Sequence, residues 1–372
     1  MLVPIANEPR DYVWGSRTLL ADYLGRTPSG RPEAELWLGA HHGSPAVVTA
    51  GEHEGSDLGS AIAAEGGRQP ALLLKVLAAA EPLSLQAHPD AVRAREGFAR
   101  EEAAGIPRGA AHRSYRDPHA KPELIVAVTA FEALSGFRPR AQAVAVLDAL
   151  AAVDVRIAPV AEHVRAGDAL AWLLSGAEEV APAVEAAVDA VAAIEPEHPL
   201  AADTISRLAD THPGDPGILV ALMLNRVSLA PGEALFLPPG NLHAYLAGLA
   251  IELMGPSDNV LRGGLTRKHV DVAELLAAVD TRPLVEPRLA PVRLAGAVAY
   301  RPPAPFELRR VTGSHDVDEG RGVLLTVSST TATVDGETRA LASASAAWID
   351  TEERFSIAAE EAWLALERDT PR

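Results

Sequence analysis

The spacing of hydrophobic and polar positions changes three times along the chain. Residues 1–138 consist of short apolar runs between glycines and prolines, which predicts short strands and loops. Residues 139–213 are rich in alanine and leave one apolar helical face, which predicts a helical block. The valines assigned to this face are Val180, Val184, Val188 and Val191. Strand-like runs return in residues 214–285, and residues 286–372 form a further region of β texture.

Turn residues between the apolar runs indicate antiparallel strands. In the stretch GVLLTVSSTTATVDGETRALA, Asp335-Gly336 joins two β-branched runs, which predicts a hairpin. The chain shows no internal repeat and no regular alternation of strands and helices of the kind that builds a parallel sheet. Many short strands interrupted by one helical block therefore predict a mainly β protein of the α+β class, with barrel or jelly-roll elements.

Composition and charge narrow the classes of partner. The formal net charge of −17 argues against nucleic acid, although a few local cations could still hold a small phosphorylated ligand. The absence of cysteine excludes disulfides and Cys-based zinc sites, so a metal would need His, carboxylate or amide ligands. Because no apolar run could span a membrane and no export signal is visible, we expect a cytoplasmic protein without membrane contact.

The stretch GEALFLPPGNLH places His243 after a tight turn. The spacing G-x5-P-x-G-x2-H, from Gly232 to His243, matches the second sequence motif of the cupin superfamily. The strand that ends at Leu237 would turn through Pro-Pro-Gly and deliver the imidazole to the mouth of a β-barrel. The alternative is a structural histidine beside a turn.

Two polar side chains interrupt the apolar stretch LSLQAHPD, residues 83–90. Gln86 and His88 would share one face of a strand, so both could bind one metal ion; hydrogen bonds inside the core are the alternative. Glu123 begins the strand-like run ELIVAV. A carboxylate is unusual there unless it binds a metal or forms an ion pair, for example with Lys121.

Together with His243, these side chains make a set of nitrogen and oxygen donors. The set suits Zn²⁺, with Fe²⁺, Mn²⁺ and Co²⁺ as alternatives by ligand type. It would leave one or two positions open for water or substrate, as catalysis requires. An amide donor favours Lewis-acid chemistry over oxygen chemistry, since the facial-triad redox sites use two His and one carboxylate.

A Gly-rich loop carries two candidate anion-binding cations. Arg262 and Lys268 precede a helix expected at residues 270–279, and such a loop suits phosphate or polyol binding. The alternative is a solvated loop with ordinary surface cations. We expect His41 and His42 to lie on the surface or in a loop, outside the site. The signatures GxxxxGKS/T, GxGxxG after a strand, GxSxG and HExxH are absent.

Six blocks of the sequence resemble the type I mannose-6-phosphate isomerase (phosphomannose isomerase) family in order and spacing. They cover the first three-quarters of the chain, and their combination is far more specific than the cupin motif alone. The blocks are YVWGS (12–16), AELWLGAHHGSPA (34–46), LSLQAHPD (83–90), HAKPELIVAVTAFEALSGFRP (119–139), PGEALFLPPGNLHAYLAG (231–248) and SDNVLRGGLTRKHVDVAEL (257–275). Ser135 stands where many members have Cys, a position we expect to serve packing.

The resemblance implies a zinc-dependent aldose–ketose isomerase that interconverts mannose 6-phosphate and fructose 6-phosphate through an enediol. It implies a single zinc ion per chain and a small phosphorylated sugar as the partner, and we expect a monomer. The implied metal ligands are Gln86, His88, Glu123 and His243. The implied catalytic residues are Arg262 and Lys121, and the implied substrate-binding residues are Ser84, Asp258 and Lys268.

The family architecture also accounts for the changes in texture. It implies a cupin-like catalytic domain formed by residues 1–138 and 214–285, a helical insertion domain at 139–213 and a C-terminal jelly-roll domain at 286–372. The C-terminal region contains one histidine, His315, so we expect no second metal site there.

Two alternatives come from other functional classes. A non-catalytic cupin could sense a sugar phosphate, against which Arg262 and Lys121 count. A cupin oxygenase would need a redox-active metal, against which Gln86 as a ligand counts. The sequence leaves Arg262 and Lys121 both as candidates for proton transfer. For phosphate binding it leaves Ser84, Arg262 and Lys268.

Overall fold

Twenty-two strands, eleven α-helices and one 3-10 helix (Val155–Ile157) make up the regular structure of residues 1–368, the part of the chain that a computed structural model describes. The strands are β1 (Leu2–Ala6), β2 (Glu35–Leu38), β3 (Val47–Val48), β4 (Leu73–Ala79), β5 (Gln86–Ala87), β6 (Glu123–Ala127), β7 (Phe131–Phe137), β8 (Leu224–Leu229), β9 (Ala234–Leu237), β10 (His243–Met254), β11 (Leu261–Arg262), β12 (Arg288–Leu289), β13 (Val292–Leu294), β14 (Ala297–Tyr300), β15 (Phe306–Val311), β16 (Ser314–Val317), β17 (Gly320–Thr326), β18 (Thr330–Val334), β19 (Glu337–Leu341), β20 (Ala346–Thr351), β21 (Phe355–Ala359) and β22 (Ala362–Glu367). The helices are α1 (Leu19–Tyr23), α2 (Leu58–Ala64), α3 (Ala91–Ala103), α4 (Arg140–Val153), α5 (Ala158–Ala166), α6 (Ala169–Leu173), α7 (Val180–Asp189), α8 (Val191–Ile194), α9 (Pro199–Thr211), α10 (Gly217–Ala221) and α11 (Val272–Ala278). Within residues 1–368, no helix has the length and apolar character needed to cross a lipid bilayer.

The helices α4 to α10 follow one another along the chain and pack into one apolar core. The helical block expected at residues 139–213 is therefore present, and α10 extends it by one short helix. Val188 is 36% exposed, because α7 ends one residue later and Val191 begins the separate helix α8. The expectation that the four valines share one continuous helical face is therefore wrong.

The sheet that carries the candidate site is built around the long strand β10. Its first half pairs with β5 and β7 and its second half with β4 and β6, all antiparallel. A β-bulge between Tyr245 and Ala247 separates the halves and bends the strand. Gly248 follows at φ +115°, where a Cβ atom would lie 2.5 Å from the carbonyl oxygen of Ala130. Because of this bend, β10 pairs with one set of strands before the bulge and with another set after it.

Two further antiparallel sheets form the jelly-roll region near the C-terminus. An eight-stranded sheet runs β13-β14-β15-β22-β17-β20-β1-β3, and a four-stranded sheet runs β16-β21-β18-β19. Apolar side chains of both sheets share one core, among them Leu324, Ile349 and Phe355. The Asp335-Gly336 turn joins β18 to β19 with φ values of +52° and +76°, so the expected two-residue hairpin is confirmed.

The expected mainly β, α+β architecture with jelly-roll elements is confirmed by these sheets. One feature crosses the expected boundaries: β1 pairs with β20, so residues 2–6 lie in a sheet of the C-terminal region. We propose that the chain divides into domains at about residues 139, 214 and 286, with this N-terminal strand crossing over.

Candidate metal centre

Four candidate ligands are brought together by the ends of β5, β6 and β10. Glu123 is the first residue of β6, and His243 is the first residue of β10, after the Pro-Pro-Gly turn. Gln86 lies in β5 directly opposite His243 in the strand register, and His88 follows β5. The apolar run before them is the separate strand β4, which ends at Ala79, so Gln86 and His88 do not share a continuous apolar strand.

The imidazoles of His88 and His243 flank the carboxylate of Glu123. The distances from His88 Nε2 to Glu123 Oε1 and from His243 Nε2 to Glu123 Oε2 are both 3.3 Å. All three side chains are buried, and their donor atoms lie within 4.8 Å of one another. Ligand atoms about 2.0–2.1 Å from a tetrahedral zinc ion lie roughly 3.3 Å apart, so this spacing fits a metal ion.

Hydrogen bonds on the far side of each imidazole determine which nitrogen carries the proton. His88 Nδ1–H donates to the carbonyl of Asn259 at 2.7 Å, and His243 Nδ1–H donates to the carbonyl of Asn241 at 3.0 Å. Each neutral ring therefore turns the lone pair of Nε2 toward Glu123, as metal ligation requires. The buried Nε2 of His88 has no hydrogen-bond partner in the described part of the chain, and a metal ion would satisfy it.

The ionisation states also suit a metal ion. Burial lowers the pKa of His88 to about 4, although the charge of Glu123 opposes this shift. Burial alone would raise the pKa of Glu123, but the charge of Lys121 and the contacts from both histidines hold it well below its usual range. Near neutral pH, His88 is neutral and Glu123 is ionised, which are the forms that bind metals.

The ion pair expected as the alternative role of Glu123 is also present. Lys121 Nζ lies 2.9 Å from Glu123 Oε1, and both side chains are buried. One carboxylate oxygen therefore faces both an ammonium group and His88. Since a carboxylate has several lone pairs, this ion pair is compatible with metal binding by Glu123.

A cavity of about 60 Å³ opens beside Glu123 and His243. Its walls include Ser84, Gln86 and Lys121, which the sequence also assigns to the site. The amide nitrogen of Gln86 donates to Ser84 Oγ at 3.2 Å. The carbonyl oxygen of Gln86 is therefore the atom that can ligate a cation.

The floor of this cavity carries three buried charges that the sequence analysis missed. Lys75 Nζ lies 2.9 Å from Glu252 Oε2 and 3.6 Å from Glu35 Oε1. Burial lowers the pKa of Lys75, but the charges of Glu252 and Glu35 outweigh this effect, so its pKa is raised and the ammonium stays charged. Each residue is a single charge within an apolar run (AELWL, ALLLKVLAAA and AIELM), a pattern that could have indicated a buried ion-pair network.

The buried side chain of Asn259 ties the segments at the rim of the cavity together. Its Oδ1 accepts the backbone N–H of Arg116 at 2.7 Å, and its Nδ2 donates to the carbonyls of Asp117 and His119 at 2.8 and 2.9 Å. Its own carbonyl accepts the Nδ1–H of His88. One residue therefore links a candidate metal ligand to the loop that carries Arg116.

Three cations, Arg116, Arg262 and Lys268, lie close enough for their charges to act on one another, and we call them the rim cations. Arg262 pairs with Gln86 between β11 and β5, which places it beside a candidate ligand. Burial and the charge of Arg116 lower the pKa of Arg262, and burial and both arginines lower that of Lys268. No carboxylate pairs with these three side chains in residues 1–368. Arg116 is a further residue that the sequence analysis missed, because nothing in its own segment marks it.

Asp258 contacts the histidine pair that the sequence analysis left outside the site. Its Oδ1 lies 3.3 Å from His41 Nε2, and its Oδ2 lies 3.3 Å from His42 Nε2. His41 is buried and His42 is exposed. His41 lies in the loop after β2, as expected, but it is buried there because this loop packs against the segment that follows β10.

Known proteins with similar sequences place the chain in a family. A model described as phosphomannose isomerase type I, catalytic domain, matches residues 2–140. The mannose-6-phosphate isomerase of Salmonella typhimurium is 40% identical over 309 residues, which cover 78% of each chain. The chain belongs to the mannose-6-phosphate isomerase family. The relative from Escherichia coli K12 is 41% identical over 293 residues (74% of each chain), and that from Aspergillus fumigatus is 32% identical over 349 residues (78% of this chain and 74% of the other).

Solved structures of mannose-6-phosphate isomerases have the same fold. A zinc-bound mannose 6-phosphate isomerase superimposes with a TM-score of 0.88 at 32% identity, over 99% of this chain and 100% of the other. The apo form from Salmonella typhimurium gives a TM-score of 0.86 at 32% identity, over 99% of each chain. The resemblance seen in the six sequence blocks is confirmed by these matches, and zinc in a solved relative agrees with the donor set found here.

Proposed function

We propose that this protein interconverts mannose 6-phosphate and fructose 6-phosphate as a zinc-dependent aldose–ketose isomerase. The proposal rests on the buried group formed by His88, Glu123 and His243, in which the Nε2 lone pairs of both histidines face the carboxylate of Glu123. The chain that carries this group belongs to the mannose-6-phosphate isomerase family. Gln86 completes the proposed ligand set through its carbonyl oxygen. When bound, zinc supplies a Lewis acid that polarises the sugar carbonyl and stabilises negative charge as the enediol forms.

The residues around the cavity supply the remaining chemistry. Isomerisation moves one hydrogen from C2 to C1 and one proton from O2 to O1, so it needs no co-reactant. We assign proton transfer to Lys121 Nζ, since this buried group lines the cavity beside Glu123. Ser84 Oγ, on the same wall, would orient a sugar hydroxyl. Arg262 would stabilise the negative charge that develops on the sugar oxygens.

We place the phosphate group on Arg116 and Lys268, the two rim cations to which we assign no part at the reacting carbons. Burial lowers the pKa of Lys268, and the charges of Arg262 and Arg116 lower it further; a bound phosphate dianion would relieve this repulsion between the cations. The chain as a whole has a net charge of −17, so a group of cations without carboxylates is a distinct local feature. The phosphate is on C6, far from the reacting carbons, which agrees with cations at the rim and Lys121 inside the cavity.

Replacing Lys268 or Arg116 by alanine is expected to raise KM for mannose 6-phosphate about tenfold, with kcat within about twofold of wild type. The reason is that a phosphate contact, remote from the reacting carbons, is lost equally from the ground state and the transition state. Steady-state kinetics and the inhibition constant of inorganic phosphate, both at fixed ionic strength, provide the measurement. Arg267→Ala, an exposed cation of the same loop, is the matched control and is expected to keep KM. Unchanged KM in both variants would place the phosphate elsewhere.

Incubation of zinc-replete protein with mannose 6-phosphate, with and without a chelator, tests the proposed function. We expect fructose 6-phosphate to form, the chelator to abolish its formation and added zinc to restore it. Binding of mannose 6-phosphate without turnover would favour the non-catalytic sensor, and oxygen consumption would favour the oxygenase. Because one chain supplies every proposed site residue, we expect the monomer to be active.

A further inference from the structure

The His41–Asp258–His42 group at the rim repeats the spacing of the proposed metal ligands. In both groups each carboxylate oxygen lies 3.3 Å from Nε2 of one histidine. The side chain of His41 is 2% exposed, so it is as deeply buried as those of His88 and His243. By spacing alone, the group resembles a second metal site, although His42 is exposed.

The hydrogen bond to the other nitrogen of His41 excludes that interpretation. His41 Nδ1 accepts the backbone N–H of Gly43 at 3.1 Å, and an accepting nitrogen carries no proton. The proton of the neutral ring therefore lies on Nε2, where it points at Asp258 and leaves no lone pair for a metal. His88 and His243 have the opposite arrangement, because their Nδ1–H groups donate to backbone carbonyls.

The His41 ring is held in one orientation by its surroundings. It packs edge-on against Trp37, with ring centroids 5.0 Å apart and an interplanar angle of 90°, and it stacks on His42 at 4.7 Å. Gly43 lets the backbone approach the ring closely, since a Cβ atom there would lie 3.2 Å from His41 Nδ1. Trp37 in turn donates its indole N–H to the buried Glu35 at 3.0 Å. The fold therefore fixes the direction of the His41 Nε2–H bond.

Asp258 is the group that this N–H faces. The backbone N–H of Asp258 donates to Asp117 Oδ2 at 2.8 Å, which anchors the residue, and the Asp258 side chain is 25% exposed. Burial would raise the pKa of Asp258, but the contacts with His41 and His42 and the charge of Lys121 hold it below its usual value. An ionised carboxylate at the rim can accept hydrogen bonds from a sugar.

We propose that His41 is a positioning residue for the isomerisation: its Nε2–H holds Oδ1 of Asp258, so that Oδ2 is presented to a hydroxyl of the bound sugar. This inference rests on the proposed isomerase function. Oδ2 faces the ring of His42, which is 81% exposed and able to move aside. The contact of 3.3 Å between His41 and Asp258 is long for a hydrogen bond, and such contacts commonly tighten when substrate binds.

Nitrogen-15 NMR of the zinc-loaded protein tests the position of the proton. We expect the Nε2–H tautomer for His41 and the Nδ1–H tautomer for His88 and His243. The His41→Gln variant assigns the His41 signals by their absence, and it is expected to bind one zinc ion per chain, as the wild type does. An Nδ1–H tautomer of His41, or a second zinc ion that is lost in His41→Gln, would overturn the proposal.

Steady-state kinetics test the role of the Nε2–H group of His41 in turnover. His41→Ala is expected to lower kcat about tenfold, with KM changed less than about threefold and zinc retained, because Asp258 loses the group that orients it. His41→Gln, whose amide can donate in place of Nε2–H, is expected to recover most of kcat. His53→Ala is the matched control, since His53 also contacts a carboxylate, Glu65 Oε1 at 2.7 Å, on an exposed surface. We expect that control to keep wild-type kcat.

The possible outcomes distinguish this inference from the function on which it rests. If the wild-type protein fails to isomerise mannose 6-phosphate, the proposed function fails and this inference fails with it. If the wild type turns over and His41→Ala has the same kcat, only the positioning role is overturned. A lower Tm with unchanged kcat per folded molecule would reduce His41 to a folding role and would also overturn the proposal.

Discussion

The His243→Ala variant is expected to lose its zinc and to keep less than about one thousandth of wild-type turnover while staying folded. Losing a ligand should cost more than the roughly ten- to hundredfold in metal affinity that loss of a supporting residue costs. The fold should survive because the remaining residues of β10 keep their register with four neighbouring strands. Zinc content by mass spectrometry, circular dichroism, Tm and turnover are the measurements.

His315→Ala controls for the loss of a buried histidine. His315 is also buried, and its Nδ1–H donates to the carbonyl of Ala295 at 2.8 Å, but its Nε2 faces Arg309 at 3.0 Å and no metal group. This control is expected to keep zinc and turnover. A His243→Ala protein that holds a full equivalent of zinc and turns over at the wild-type rate would refute His243 as a ligand.

Arg262→Ala is expected to lower kcat by about 10²- to 10³-fold with zinc content unchanged, which is the usual cost of removing one group that stabilises transition-state charge. Arg262 lies beside Gln86 and is not a donor to the metal group, so its loss removes positive charge near the sugar but leaves the ligands in place. KM is expected to rise less than kcat falls, because we assign the phosphate to Arg116 and Lys268. Steady-state kinetics and zinc analysis provide the measurement.

Arg262→Lys is the conservative companion of this variant. A lysine keeps the charge but lacks the planar, bidentate guanidinium, so we expect it to restore only part of kcat. Loss of zinc in Arg262→Ala would show that Arg262 supports the metal centre and would contradict its catalytic role. An unchanged kcat would remove it from the mechanism altogether.

The parts of this site that the sequence predicts are those placed by local structure. His243 follows a Pro-Pro-Gly turn and Glu123 opens a strand, so residue order alone locates both at strand ends. The Asp335-Gly336 hairpin is predictable for the same reason, because positive φ values at both positions favour these residue types. Neighbouring residues in the chain determine each of these features.

The parts that the sequence does not predict depend on contacts between distant segments. Glu35, Lys75 and Glu252 meet only because β2, β4 and β10 are adjacent in the sheet, and no local spacing announces that order. Arg116 reaches the rim because Asn259, far along the chain, binds its backbone. His41 lies in a loop, and its contact with Asp258 depends on how that loop packs in the fold. The order of the strands in the sheet and the packing of distant loops bring these residues together, and short sequence motifs determine neither.

Zinc titration of the metal-free protein, with turnover measured at each addition, tests whether activity depends on the proposed metal centre. We propose that a single zinc ion, held by Gln86, His88, Glu123 and His243, makes this chain an isomerase of mannose 6-phosphate. We expect turnover near zero without zinc, a rise in proportion to bound zinc, and a plateau at one zinc ion per chain. Turnover by the metal-free protein, or no fructose 6-phosphate at full zinc occupancy, would contradict it.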